Sequence, residues 1–464
     1  MSLQLNRLIS GGHYGVSSTA AISRARTAVA PRHQLLVQLA FLLFLALLVE
    51  GVARKWIFPR QHEYFYFLRD PLLLGFYLVA LTRGALRPKG WFALWLGAAC
   101  FISLMSLVVY LLYDLPPTLW ILGVRNYFMY MPLAFIVART FQREDIERFT
   151  KLVALLAVPM AFVCVMQFFL PPGSWLNVGA GGAPPSMFVD NLMRTTGVLA
   201  SDAQHAIYIA FTLSLLAARF VGASSSRKER YLLIAGGAAT FTMMIVSGSR
   251  AVWFQAAGVG LVAVSAFFLT RASIRERLRG IMVALGAGLL VTALFATLFA
   301  GAYKGYEHRN LSARTFSGTT TERIAGLFLP KSMFEASIGG EGIGLGTTGA
   351  AAVLSGKRAL TMGENDLDRN FIELGLFAGW IFVALRVTFA LWLVSISVRA
   401  ARKGDMRALL IASFAALAIF QMQITMHTVY AHLAWFAVGL TMAAARFVAP
   451  YDRPHPMTDK WQRF

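Results

Sequence analysis

The stretch QLLVQLAFLLFLALLVEGVA (34–53) carries a single charge, Glu50, across a full membrane-length run. At about 1.5 Å per residue, a helix of this length crosses a bilayer core of about 30 Å. Basic residues follow it at once, Arg54 and Lys55. The same alternation of apolar run and basic punctuation recurs along the chain. It predicts twelve transmembrane helices, at 34–53, 65–82, 91–113, 118–138, 150–171, 203–221, 231–247, 250–270, 281–302, 370–398, 406–425 and 427–447.

Composition agrees with lipid as the solvent. The chain has 464 residues, 57% hydrophobic and only 14% charged; soluble domains run nearer about a quarter charged. Mean hydropathy is +0.61. The net charge of +21 does not point to nucleic acid, because the basic residues recur as small clusters between apolar runs, the pattern of cytoplasmic loops. Cys100 and Cys164 both fall inside apolar runs, so no disulfide framework is implied.

The basic clusters set an orientation. Arg83, Arg87 and Lys89, then Arg139 to Lys151, then Arg227, Lys228 and Arg230, fall between alternate pairs of predicted helices. So do Arg271 to Arg279 and Arg399 to Arg407. The positive-inside rule puts all of them in the cytoplasm together with both termini. The expected organisation is a basic cytosolic tail without a cleavable signal at 1–33, helices 1–9 at 34–302, a large outer loop at 303–369, helices 10–12 at 370–447 and a cytosolic tail at 448–464.

That outer loop is the one long break in the apolar pattern. It holds Arg309, Arg314, Arg323, the run GGEGIGLG (339–346) and the acids Glu364, Asp366 and Asp368. Further arginines fall near the same face: Arg69 inside helix 2, Arg125 in helix 4, Arg194 in the loop 172–202 and Arg250 at the mouth of helix 8. Arginine is a natural phosphate ligand because its fork makes paired hydrogen bonds. An arginine-lined cavity at the outer boundary would suit a lipid pyrophosphate.

Blander roles compete with this one. Arg54, Lys55 and Arg60 read as headgroup anchors. Arg69 and Asp70 read either as site residues or as partners of other groups, and Arg125 either as functional or as half of an ion pair. Arg386 reads as snorkelling or paired. His205, His427 and His432, near helix ends, read as packing or hydrogen-bonding groups, since no spacing here makes a metal site. GGEGIGLG lacks the strand and crossover of a dinucleotide fingerprint; its glycines read as a loop that permits close backbone approach.

Three segments together resemble the bacterial O-antigen ligase and O-antigen polymerase superfamily. They are RTTGVLASDAQHA (194–206), SGSRAVWFQAAGVGLV (247–262), and GEGIGLG with ENDLDRNFIELGLFAG (364–379). Their order and the place of the large loop carry the likeness, which covers about residues 190–380. The resemblance implies a GT-C-like, metal-independent, inverting glycosyltransferase that needs no cofactor. It would use an undecaprenyl-pyrophosphate-linked glycan donor at the periplasmic face of the bacterial inner membrane. The acceptor would be a glycan or lipid A core, and the partners would be membrane lipid, with room for a chain-length regulator, and no nucleic acid.

On this reading Arg194, Arg250 and Arg323, with Arg125 and Arg69, hold the pyrophosphate, and Glu364 is the base, with Asp366 and Asp368 as alternates. Ligases of the family place a histidine where this chain has Glu364, a departure that favours the branch polymerising exopolysaccharide or O-antigen repeat units. RKWIFP (54–59) adds a faint likeness to exopolysaccharide-synthesis membrane proteins. A ligase acting on lipid A core, and a polysaccharide or lipid-linked sugar transporter, are the alternatives.

Overall fold

The computed structural model describes residues 33–184, 187–189, 192–221, 226–269, 330, 332–347 and 366–447. The predicted helix at 281–302, most of the large loop including Arg323 and Glu364, and both tails apart from His33 lie outside the described residues.

The chain is a helical bundle: α1 (Gln34–Val52), α2 (Arg69–Thr82), α3 (Trp91–Leu112), α4 (Pro117–Phe128), α5 (Met131–Thr140) and α6 (Arg143–Phe169). After a two-stranded ribbon, β1 (Met187–Val189) with β2 (Leu192–Met193), come α7 (Asp202–Val221), α8 (Arg227–Val246) and α9 (Arg250–Leu269). The chain ends in α10 (Asp366–Arg402), α11 (Arg407–Gln421) and α12 (Thr428–Arg446).

Eight described segments are long and apolar enough to cross a membrane, and α9 and α11 contain shorter apolar helices. The protein is therefore a multi-pass membrane protein. The described residues support eight such spans by length and composition, where the sequence reading counted twelve.

Two predicted helices are reshaped. The one at 118–138 is broken into α4 and α5, because Pro132 opens α5 and cannot donate into the preceding turn. Tyr77 donates to Met129 O at 2.5 Å, satisfying a carbonyl at the break. The one at 370–398 is longer and bent. Residues 366–374 form a short helix that folds back at Gly375, whose φ of 76° is left-handed.

Side chains and backbone sort the bundle into two ends. At one, Arg446 donates to Arg139 O and Phe141 O, Arg407 reaches Glu147, and Glu229 pairs with Lys151 and Arg219. At the other, Lys55 meets Thr196, Asn126 meets Met426 and Tyr110 meets Ile343. Between them the core is aromatic: Phe44, Phe149, Phe211 and Phe436 pack together, and Trp95, Phe389 and Trp435 form a second knot. Small residues let helices touch. A Cβ on Gly236 would meet Ala154 of α6, and one on Gly439 would meet Ala134 O and Val137 of α5. Leu42, Leu78, Leu104, Phe162 and Leu391 are exposed on the outside, as a lipid-facing surface requires.

Candidate functional site

Three buried or half-buried polar networks gather at the Arg194 end of the bundle. The first is built on the segment 194–197. Its backbone is stitched from helices on several sides. Gln167 Oε1 accepts from Thr196 N and Gly197 N, at 3.1 and 2.8 Å. Thr195 Oγ1 donates to Val246 O at 3.1 Å, and His205 Nδ1 to Thr195 O at 2.8 Å. Lys55, on a π-helical turn at Ala53–Ile57, donates to Thr196 Oγ1 at 2.6 Å and Gly197 O at 2.8 Å. Gly197 is left-handed and lies against Met160 and Cys164, where a side chain has no room.

Lys55 corrects the sequence reading. It is not a headgroup anchor but is buried, and among the described residues no carboxylate pairs with it. The wide turn carries it inward. Arg54 turns back to Glu50 at 3.2 Å and lies over the Tyr66 ring, while Arg60 stays exposed.

Arg194 extends from this segment to Asp202 at 2.7 Å. The two side chains keep 22% and 16% exposure, so the pair is open to a ligand where the deeper ion pairs are not. Arg250 opens α9 just beyond the Ser247–Gly248 turn and is partly exposed. The bond from Thr195 to Val246 brings the Arg194 and Arg250 segments side by side. On the Asp202 side of the Arg194–Asp202 pair lies a cavity of about 280 Å³, lined by Asn177, Gly179, Thr196, Ser201 and Asp202 among others.

The second network holds Arg69 and Arg125. Arg69 is fully buried, donates to Glu50 at 2.5 Å and to Thr428 Oγ1 at 2.9 Å, and packs over the Tyr130 ring. Arg125 donates twice to Asp70, at 2.5 and 3.0 Å, and to Tyr66 O at 3.1 Å. Both guanidinium groups are spent on carboxylates within the bundle. These are the surroundings of the ion-pair alternative that the sequence reading set beside a site role for Arg69 and Arg125.

The third network holds Asp366, which is fully buried between Arg369 and Arg386 and also accepts from Thr425 Oγ1 at 2.9 Å. Arg386 is thus paired rather than snorkelling. Both oxygens of Asp366 are engaged by these partners. Asp368 instead holds Ser332, whose N and Oγ donate to it at 3.1 and 2.7 Å. Glu373 accepts from Tyr127 OH and from Gly346 N, both at 2.6 Å. The run 339–346 therefore packs into the bundle. Ile343 exchanges bonds with Ser106 and Tyr110, Gly344 lies on Leu119 and Gly123, and Gly340 lies on Gly375. Its glycines serve close backbone approach to helices, as the sequence reading expected in kind.

One segment joins all three networks and was missed in the sequence. The link between α11 and α12 offers Met422 O to Arg386, Thr425 to Arg369 and Asn370, and Met426 O to Asn126. It continues with Thr428 to Arg69, and Tyr430 donates to Ala203 O at 2.8 Å. His427 sits at its centre. Burial, and then the charge of Arg369, push His427 down to about 4 against the opposing pull of Asp366 and Asp202. The signal for Glu50 was available: one acid in an apolar helix needs a cation, and helices 2 and 4 each carry one. Gln167 and Lys55 gave no comparable signal.

No family model matches the chain, and no curated protein matches it.

Proposed function

We propose that this protein is a glycosyltransferase at the periplasmic face of the bacterial inner membrane that polymerises undecaprenyl-pyrophosphate-linked repeat units into exopolysaccharide or O-antigen. Arg194 and Arg250 hold the pyrophosphate of the donor, joined by Arg323 from the large loop. Glu364 takes the proton of the attacking sugar hydroxyl; Arg323 and Glu364 both lie outside the described residues. The new glycosidic bond forms as the bond to pyrophosphate breaks, with inversion at the anomeric carbon.

The observation that carries this reading is convergence. Of the three segments that resemble the O-antigen ligase and polymerase superfamily, the first, 194–206, bonds through Thr195 to Val246, the residue before the second, 247–262. The third, at 339–346 and 366–379, joins the same end of the bundle through the 422–430 link. Arg194 pairs with Asp202, which lines a cavity together with the hydroxyls of Thr196 and Ser201. Transfer from a pyrophosphate to an alcohol requires leaving-group stabilisation, positioning and a base. Arg69 and Arg386 are buried together with their carboxylates, whereas the Arg194–Asp202 pair is partly exposed, which leaves Arg194 better placed than they are to receive an anion.

The test is to supply purified protein in nanodiscs with undecaprenyl-pyrophosphate-linked oligosaccharide, with and without a lipid A-core acceptor. Longer lipid-linked chains without the core acceptor support polymerisation. Transfer to lipid A core alone moves the protein to the ligase reaction. Absence of product from folded protein refutes the enzyme reading.

A further inference from the structure

The arginine–carboxylate pairs at this end of the bundle are held in different ways. Asp70 accepts from both Nε and Nη2 of Arg125, at 2.5 and 3.0 Å. Glu50 is buried and takes both Arg69 and Arg54. Asp366 is buried and accepts from Arg369, Arg386 and Thr425. Asp202 receives one hydrogen bond from Arg194, Nη1 to Oδ2 at 2.7 Å, and both side chains are partly exposed.

The backbone on either side of that bond is fixed. Thr195, Thr196 and Gly197 are tied to Val246, Gln167 and Lys55. Beyond Asp202, Tyr430 donates to Ala203 O, and Gln204 N donates to Ser201 Oγ at 3.3 Å. The pair therefore opens by side-chain rotation with the fold unchanged. Asp202 also lines the cavity of about 280 Å³, with the hydroxyls of Ser201 and Thr196 on the same wall. That volume is far above the roughly 10–15 Å³ that one water needs, so a carboxylate leaving Arg194 is hydrated there. A carboxylate separated from Arg69 or Arg386 would stay buried, which costs far more.

We propose that Asp202 is the resident counter-ion of Arg194 and is displaced by the pyrophosphate of the donor. The inference rests on the glycosyltransferase reading, in which Arg194 holds that pyrophosphate, and makes Asp202 a positioning residue that acts through Arg194. Carboxylate and phosphate oxygens are alternative acceptors for one guanidinium fork. Before the donor arrives, Asp202 holds the fork in place. While the donor is bound, Asp202 competes for it, so donor affinity is lower than Arg194 alone would give. After transfer, the returning carboxylate helps the pyrophosphate carrier to leave.

The experiment titrates inorganic pyrophosphate into the full chain in nanodiscs and measures the Tm of every sample. Wild type is run beside Asp202→Asn, Asp202→Ala, Arg194→Ala and Glu63→Gln. Glu63 is exposed on the short helix His62–Phe65, whose His62 ring lies against Gly181 in the turn beside the cavity. Its variant removes a negative charge from the same region and leaves the pair intact. At least one Asp202 variant with the wild-type Tm is expected to bind pyrophosphate about two- to fivefold more tightly, the scale of an exposed ion pair. Arg194→Ala is expected to bind it more weakly than wild type. Affinity unchanged or lower in both Asp202 variants, a lowered Tm in both, an equal gain in Glu63→Gln, or Arg194→Ala binding as wild type does overturns the proposal. So does absence of binding throughout. Elongation of the lipid-linked donor is measured on the same samples, with KM expected to fall in Asp202→Asn. No elongation by wild type counts against the glycosyltransferase reading, while the pyrophosphate titration judges the exchange.

Discussion

Asp366 and Arg386 stand 20 residues apart in one helical segment, yet Arg386 Nη1 donates to Asp366 Oδ2 at 2.7 Å. A straight helix would separate them by about 30 Å. They meet because the chain reverses at Gly375, so that 366–374 runs back along the first turns of the long helix after it. Arg386 also donates to Ile419 O, Asn370 Oδ1 and Met422 O.

Removing Arg386 leaves Asp366 buried with one cation in place of two. Breaking a buried pair costs about 3–5 kcal/mol. Arg386→Met is therefore expected to lower the Tm of the solubilised protein sharply. Arg386→Lys is expected to recover little of it, because a point charge cannot reach all four acceptors. A Tm equal to wild type for Arg386→Met would show that the reversal is held by something else.

The reversal itself depends on two glycines in contact. A Cβ on Gly375 would run into Gly340, and Gly375 is left-handed as well. Gly375→Ala is expected to cost about 1–3 kcal/mol from backbone strain alone and to expose the 339–346 run to protease. Gly173→Ala, where a Cβ meets nothing within 4 Å, is the matched control and should change neither.

Arg69 and Arg194 should separate folding from activity. Arg69→Met leaves the buried Glu50 carboxylate with Arg54 alone and is expected to reduce yield and Tm. Arg194→Ala breaks a partly exposed pair, which costs less than a buried one, and should leave the Tm nearer wild type than Arg69→Met does while polymer synthesis falls. Equal loss of stability in the two variants would remove the distinction between buried scaffold and ligand-facing charge.

His427 gives a pH prediction. Its folded-state value of about 4 lies below the ordinary 6.5. Between those values the unfolded chain binds a proton that the folded chain does not. The stabilising contribution is complete above pH 6.5 and is lost as pH falls towards 4. Tm should drop across that window, and His427→Asn should flatten the drop. An identical pH profile in the variant would place the titration elsewhere.

The membrane helices were legible because an apolar run of bilayer length has one reading. The break at Pro132 was legible in principle, and so was a partner for Arg386. The reversal at Gly375 was not, because IELGLFAG (372–379) looks like any apolar helix entrance and only the meeting of Asp366 with Arg386 reveals the fold-back. Lys55 was misread for a similar reason: RKWIFP after a helix has the composition of an interface, and the π-helical turn that buries Lys55 leaves no mark in composition. The 422–430 link was passed over as a turn, since its role lies in backbone carbonyls that every sequence supplies.

The central claim is that Arg194 serves a lipid-pyrophosphate donor at this end of the bundle. The most direct measurement is chain length of lipid-linked product, made by purified wild type and by Arg194→Ala with equal Tm, from one undecaprenyl-pyrophosphate-linked repeat unit. Elongation by wild type that falls at least about tenfold in the variant, as loss of a charge-assisted contact of about 1.4 kcal/mol or more would give, is the predicted result. Elongation unaffected by the substitution, or none from folded wild type, would contradict it.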